Sequence, residues 1–290
     1  MKPPPLDILS PSSLIEALAL LSEHGDAARP LAGGQSLVPL LNFRLSRPEI
    51  LIDLNRISDL AFIKDGGDHI AIGAMTRERT IEENELVRDQ APLLQEATTQ
   101  IAHLPIRSRG TIGGSLANAD PAAEYPAVAL ALEIELVTQS VRGERRIKAA
   151  AFFEDVLTTA LEPDELLTEI IVPKAPPGSS SAFVEIARRH GDFALAGVAA
   201  QITFANNAPA DVCLAVCGAG STASRLTTAE EIILQDGVGV EAVKAASAAA
   251  AASVDPMSDL HASADYRRRL VGVMTTRALE KVVQRAAVTS

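Results

Sequence analysis

The chain has 290 residues, enough for two cores, and 47% of them are hydrophobic against 22% charged, a globular balance rather than a disordered one. Its 26 basic and 37 acidic residues leave a net charge of −11, which argues against a nucleic-acid partner; the absence of Trp and the presence of only two Tyr remove most stacking platforms for single strands. No apolar run reaches bilayer length and residues 1–5 carry no apolar signal segment, so a soluble cytoplasmic chain is expected.

In chain order, Ser12 and Ser13 are hydroxyl caps for a helix over 14–21 that stops near Gly25. Arg29 to Ala32 is a short extended segment that feeds the pair Gly33-Gly34, and one or two helical turns follow from Leu37 to Leu41. The apolar run in 49–54 predicts a buried strand, which completes a βαβ-like unit with the glycine pair at a strand exit, the edge where α/β sheets receive ligands. Asp65-Gly66-Gly67-Asp68 separates two apolar segments and is assigned to a plain hairpin turn. One amphipathic helix is expected within 82–102, then a second pair, Gly113-Gly114, then a helix from Tyr125 to Leu132. Segments 134–138 and 145–148 pair around Arg142-Gly143, and 166–172 supplies another strand.

The Pro-, Gly- and Ser-rich stretch 173–181 reads as a linker. Beyond it lie three strands, over 182–188, 194–204 and 210–218, and three helices, near 228–234, 240–252 and 264–287, the last capped by Ser263 with Asp265 in its first turn. Strands followed by helices indicate an α+β domain. Strand alternation puts Cys213 and Cys217 on one face and Val212, Leu214 and Val216 on the other, as small buried residues.

Chemistry concentrates in two segments far apart in sequence: Ala32-Gly33-Gly34-Gln35-Ser36-Leu37 and Thr111-Ile112-Gly113-Gly114-Ser115. Each places two residues without side chains among hydroxyls or amides, which permits close backbone approach and an amide-lined anion site. Neither segment holds Lys or Arg, and neither matches the lysine-bearing phosphate loop or the dinucleotide fingerprint. A diphosphate suits such a pair: amides of Gly33, Gly34, Gln35 and Gly114, with hydroxyls of Ser36, Thr111 and Ser115. Asn118 is either a phosphate or ribityl ligand or a turn residue, and Asp120 before Pro121 reads as a helix cap. Arg107 and Arg109 either shape the second loop or pair at the surface. The five His residues form no metal-ligand spacing, and no acid–base or nucleophilic set is visible, so no catalytic or metal residue is assigned.

These two segments, with Arg107 to Pro126 and the later Arg188 to Ala196, resemble the FAD-binding medium subunit of molybdenum hydroxylases, the aerobic carbon monoxide dehydrogenase medium chain and xanthine dehydrogenase FAD-subunit type. The resemblance covers nearly the whole chain; Pro105 departs from it, where a polar residue is expected. It implies an α+β chain: a two-subdomain FAD-binding fold of the vanillyl-alcohol oxidase type over 1–175 (subdomains about 1–56 and 57–175), plus a C-terminal domain over 182–288 with a three-stranded antiparallel sheet and helices. It implies FAD as cofactor, with Glu124 near the ribityl chain, where the alternative is a solvated helix-start carboxylate. It also places Phe193 near the isoalloxazine ring, where the alternative is a core phenylalanine between domains. The implied partners are an iron–sulfur small subunit with a [2Fe–2S] cluster and a molybdopterin large subunit, with this chain passing electrons to an external acceptor. Two cysteines are too few for a cluster in this chain itself. A self-contained FAD-dependent oxidoreductase and a non-enzymatic binding module remain the alternatives.

Overall fold

The computed structural model describes residues 2–289; Met1 of the N-terminal stretch lies outside them. The first sheet is parallel. Strands β1 (Asp7–Leu9), β2 (Ala28–Leu31) and β3 (Ile50–Asp53) lie in the order β1-β3-β2, with α1 (Leu14–His24) and α2 (Leu37–Asn42) as connections. Ser13 caps α1 by accepting from the Glu16 amide, as its position predicts. The three-residue β1 carries no sequence signal of its own and forms only because β3 offers it an edge.

The second sheet has five strands in the order β4-β5-β10-β6-β7, all antiparallel. It is built from the β4 (Ile63–Asp65) and β5 (His69–Gly73) hairpin, the β6 (Glu135–Ser140) and β7 (Gly143–Lys148) hairpin, and the central β10 (Leu166–Pro173). A two-stranded ribbon, β8 (Phe153–Asp155) and β9 (Thr158–Thr159), precedes β10. The helical layer between β5 and β6 holds more elements than the two helices expected within 82–102 and 125–132. It comprises α3 (Glu78–Glu83), α4 (Glu85–Gln90), α5 (Pro92–Gln100), α6 (Leu104–Arg107), α7 (Ile112–Asn118) and α8 (Glu124–Ala131). Asn84 breaks the first run by capping α4 through the Val87 amide, and Pro92 starts α5, because its missing N–H is harmless in a first turn.

The C-terminal sheet has four strands, not three. β11 (Ser179–Ile186), β12 (Ala196–Ala205) and β13 (Ala208–Cys217) pair antiparallel, and β14 (Ser224–Arg225) adds a two-residue edge too short to leave a pattern. Helices α9 (Thr227–Asp236), α10 (Val240–Ser253) and α11 (Ala264–Thr289) follow, and Ser263 accepts from the Tyr266 amide at the start of α11. Only Lys174–Gly178 is irregular between β10 and β11, shorter than the linker expected.

Alternation along β13 divides the interior. Val212, Leu214 and Val216 join the core under the C-terminal helices, while Ala215 and Cys217 join the core that contains α8. Both cysteines are buried and free, as the sequence predicts. Among the described residues no helix is long and apolar enough to cross a membrane.

Candidate functional site

The two glycine pairs meet. A Cβ built on Gly33 would lie 2.8 Å from the Gly110 Cα and in contact with the Arg109 carbonyl oxygen, so the first loop rests on the backbone just before Thr111. A Cβ on Gly114 would come 3.4 Å from the Ala32 side chain. Close approach is therefore the reason for Gly33, while a Cβ on Gly114 would meet the Thr111 hydroxyl oxygen at 2.7 Å. Gly34 has a second reason, its φ of 73°.

The loops differ in what they offer. In the first, Gln35 Nε2 donates to the Gly33 carbonyl at 3.0 Å and fixes the turn, while the N–H groups of Gly33, Gly34, Gln35 and Ser36 have no acceptor among the described residues. Ser36 is exposed, and Ala32, Gln35 and Leu37 are half-buried. The second segment is not a loop of free amides. It is the first turn of α7: Thr111 is the N-cap and accepts from Gly114 N–H at 3.1 Å, and Gly113 N–H donates to the Ala74 carbonyl at 2.9 Å. The amide contribution expected of Gly114 is thus already used inside the protein. What this segment leaves open are the half-buried side chains of Ser115 and Asn118 and the bare surface of Gly114.

Two buried carboxyl groups, Glu124 and Glu78, lie near this junction, and a third, half-buried one, Glu185, faces Glu124 from the C-terminal sheet. Glu124 opens α8 with 5% exposure, so it is no solvated helix-start carboxylate; burial first, then the charge of Glu185, pushes its pKa up to about 8. Glu78 opens α3 directly against the second segment: its amide donates to the Gly110 carbonyl at 3.1 Å, and a Cβ on Gly110 would fall 2.5 Å from its carboxyl carbon. Burial raises its pKa to about 7 against the pull of Arg107 and Arg77. Glu185 comes from β11, abreast of Gly197 and Cys217 on the face turned to α8, and burial raises it to about 7. One oxygen of Glu78 and one of Glu185 have no hydrogen-bond partner. Such orphaned oxygens are costly in an interior and mark a place for a polar ligand. Sequence reasoning missed Glu78 and Glu185, since a Glu in a helix start or a strand carries no signal of burial.

The remaining expectations resolve individually. Asp120 accepts from the Ala122 amide at 2.9 Å and so closes the turn before α8 rather than capping the helix. Arg107 is not a surface pair: with 11% of its side chain exposed it binds Glu82 at 2.8 Å and the carbonyls of Ile101 and Ala102, which shapes the approach to the second segment. Phe193 is 60% exposed and is not a core residue. Its turn sits against the end of α5, because Gly191 packs on Ala102 and His103 and the His103 and His190 rings meet edge-on with centroids 6.0 Å apart. Pro105 lies in the first turn of α6. Among the described residues no group of three or more His, Cys, Asp or Glu is placed to hold a metal ion.

The donors and orphaned acceptors fit a flavin dinucleotide: free amides and a hydroxyl for a diphosphate, buried carboxyls for a hydroxyl-rich chain, and an exposed aromatic ring to one side. Comparison with known proteins points the same way. Residues 4–175 match the family described as the FAD binding domain in molybdopterin dehydrogenase, and residues 181–282 match the CO dehydrogenase flavoprotein C-terminal domain. The 6-hydroxypseudooxynicotine dehydrogenase complex subunit alpha of Paenarthrobacter nicotinovorans is 44% identical, over 99% of this chain and 97% of that one. The carbon monoxide dehydrogenase medium chain of Hydrogenophaga pseudoflava is 38% identical, over 99% of this chain and all (100%) of its own length. A solved structure of carbon monoxide dehydrogenase from that organism, lacking the Mo-pyranopterin moiety, superposes with a TM-score of 0.96 at 38% identity, covering 98% of this chain and 99% of that chain.

Proposed function

The chain belongs to the FAD-binding medium subunits of the molybdenum hydroxylases, and from that premise we propose that it is the electron-transferring subunit of a three-chain complex. In this reading it takes electrons from an iron–sulfur chain bearing a [2Fe–2S] cluster, itself fed by a molybdopterin chain, and delivers them to an external acceptor from the cytoplasm. The observation that carries the reading is the junction of the two glycine segments beside the buried carboxyls Glu124 and Glu78, the latter with an unpartnered oxygen.

The residues divide the work. Gly33, Gly34, Gln35 and Ser36 present amides to a diphosphate, and Gln35 holds that turn open by binding the Gly33 carbonyl. Ala32, Leu37 and Gly114 line the approach, Gly113 lets α7 pack closely on Ala74, Thr111 fixes α7, and Ser115 and Asn118 add side-chain donors. Glu124 keeps its proton at neutral pH, with a pKa of about 8, so it can donate one hydrogen bond and accept others from ribityl hydroxyls. Phe193 covers one side of the isoalloxazine ring. When bound, FAD supplies the capacity to accept electrons as a pair and release them singly, while the protein positions it and tunes its surroundings. In this reading about 1–175 form the flavin domain and 182–288 the second domain.

A self-contained flavoenzyme is the competing reading. Purification of the tagged chain from its native cell, with metal analysis and heat release of the flavin, separates them. The expected result is FAD with co-purifying molybdenum and iron. A chain that comes down alone and turns over a substrate with its own flavin establishes the competitor.

A further inference from the structure

We propose that Asn55 and Arg77 form a clamp that sets the distance between the two glycine segments and thereby governs affinity for the FAD diphosphate; the proposal rests on the flavin reading above. Asn55 follows β3 and is held by Asp53, whose Oδ1 accepts from its amide N–H at 3.1 Å and from Nδ2 at 2.5 Å. The same Nδ2 donates to the Ala32 carbonyl at 3.0 Å, which secures the first segment. At its other end, Asn55 Oδ1 accepts from Arg77 Nη2 at 2.6 Å. Arg77 Nη1 donates to the Arg109 carbonyl, the oxygen that Gly33 rests on. A backbone bridge between Arg77 and Thr111 aligns the guanidinium with that segment. One side-chain pair thus holds a carbonyl from each half of the cradle, and no other pair of side chains described above touches both.

The chemistry requires these two residue types. The Asn amide is used as donor on one side and acceptor on the other, which a carboxylate cannot do. The Arg fork makes two bonds in a fixed plane, which a Lys cannot reproduce. Both acceptors of Arg77 are neutral, so its role here is geometric rather than that of an ion pair. A clamp that pre-sets the separation of two ligand-binding segments contributes to affinity by removing an ordering cost from the binding step.

The test is a flavin-fluorescence titration of the full-length chain, stripped of flavin and then refilled with FAD, for the wild type and four variants. Arg77→Ala and Asn55→Ala should each raise the FAD Kd by about tenfold or more, since each loses at least two of the hydrogen bonds that hold the segments. The double variant should be no worse than the weaker single, because the pair acts as a unit. Arg77→Lys should recover part of the loss. Asn55→Asp is the discriminating variant: it adds a charge partner for Arg77, yet it should weaken FAD binding because it cannot donate to the Ala32 carbonyl. Thermal melting of each flavin-free variant reports folding separately, and if Arg77→Ala does not fold, Arg77→Lys and Asn55→Asp decide. Wild-type-like Kd in folded variants, or losses that multiply in the double variant, overturns the clamp. A wild-type chain that takes up no FAD removes the flavin reading itself.

Discussion

Gly33→Ala measures how tightly the two glycine segments are apposed. The added methyl carbon would stand 2.8 Å from the Gly110 Cα and 3.0 Å from the Arg109 carbonyl carbon. Carbon atoms rest at about 3.5–4.0 Å, so the segments must part by roughly 0.5–1.2 Å. The obstacle is backbone on both sides, held by the Arg77 bond to the Arg109 carbonyl and by the Ile106 and Gly110 pairing of α6, so no flexible side chain can swing away. Overpacking of this kind costs about 1–3 kcal/mol. If the flavin-free chain stays closed, that cost appears as lost stability; if it opens, it appears as lost FAD affinity, a factor of about 5–150. The assay therefore pairs calorimetric unfolding of the flavin-free chain with an FAD titration, and the two losses should sum to the stated range. Gly67→Ala is the control: its φ of 94° makes substitution costly locally, but nothing lies within 4 Å and the hairpin is remote from the site. A Gly33→Ala protein with wild-type melting temperature and wild-type Kd would show that the segments do not need this contact.

Two further outcomes follow from the same site. Glu124, Glu78 and Glu185, with pKa values of about 8, 7 and 7 against an ordinary 4.5, make the folded flavin-free chain bind more protons than the unfolded chain between these limits. Their contribution to stability is complete below the unfolded pKa and is lost as pH rises through the folded values, by up to about 1.4 kcal/mol per pH unit for each group. Urea unfolding at pH 5 and pH 8 should show that fall, and Glu124→Gln should reduce it; equal slopes in both proteins would contradict the burial argument. Phe193→Ala should change flavin fluorescence or oxygen reactivity in the assembled complex while leaving the melting temperature nearly unchanged, because the ring is 60% exposed. An unaltered flavin signal would place the ring away from the isoalloxazine.

Legibility in the sequence followed the range of the interactions. The cap of α1, the β4–β5 and β6–β7 hairpins and the two faces of β13 depend on neighbours within a few residues, and all were visible. The helix expected within 82–102 divides at Asn84, which caps α4, and at Pro92, which starts α5. β1 and β14 were invisible because two or three residues hold no period and owe their form to a distant partner. The same limit applied to the site. Two glycine pairs among hydroxyls were conspicuous, but the fact that one offers free amides and the other is a capped helix turn is set by Ala74 and Thr111. Asn55, Arg77, Glu78 and Glu185 matter through contacts made across 22 to 61 positions of sequence, as in Arg77 to Arg109, 32 residues apart.

The carboxyl cluster draws on both halves of the chain. Glu124 owes its buried state to α8, which packs its whole length between the five-stranded sheet's helical layer and the C-terminal sheet. The second domain is fastened there by directed bonds. Glu96 on α5 accepts from Lys281 at 2.6 Å, from Arg285 at 2.7 Å and from the Phe183 amide at 3.1 Å, and Gly218 N–H donates to the Pro121 carbonyl at 2.7 Å. The charges on α11 hold the Glu96 carboxyl below its ordinary range in spite of burial, so this anchor is ionised where Glu124 on α8 is not. The last bond lies in the turn that leads from Asn118 to Glu124, so the C-terminal sheet positions the very segment expected to meet the ribityl chain. Glu185 faces Glu124 from that sheet, and its charge, after burial, raises the cost of charging Glu124. The proton that Glu124 retains at neutral pH is therefore a property of both domains together: the first supplies the carboxyl, and the second excludes the water that would otherwise ionise it.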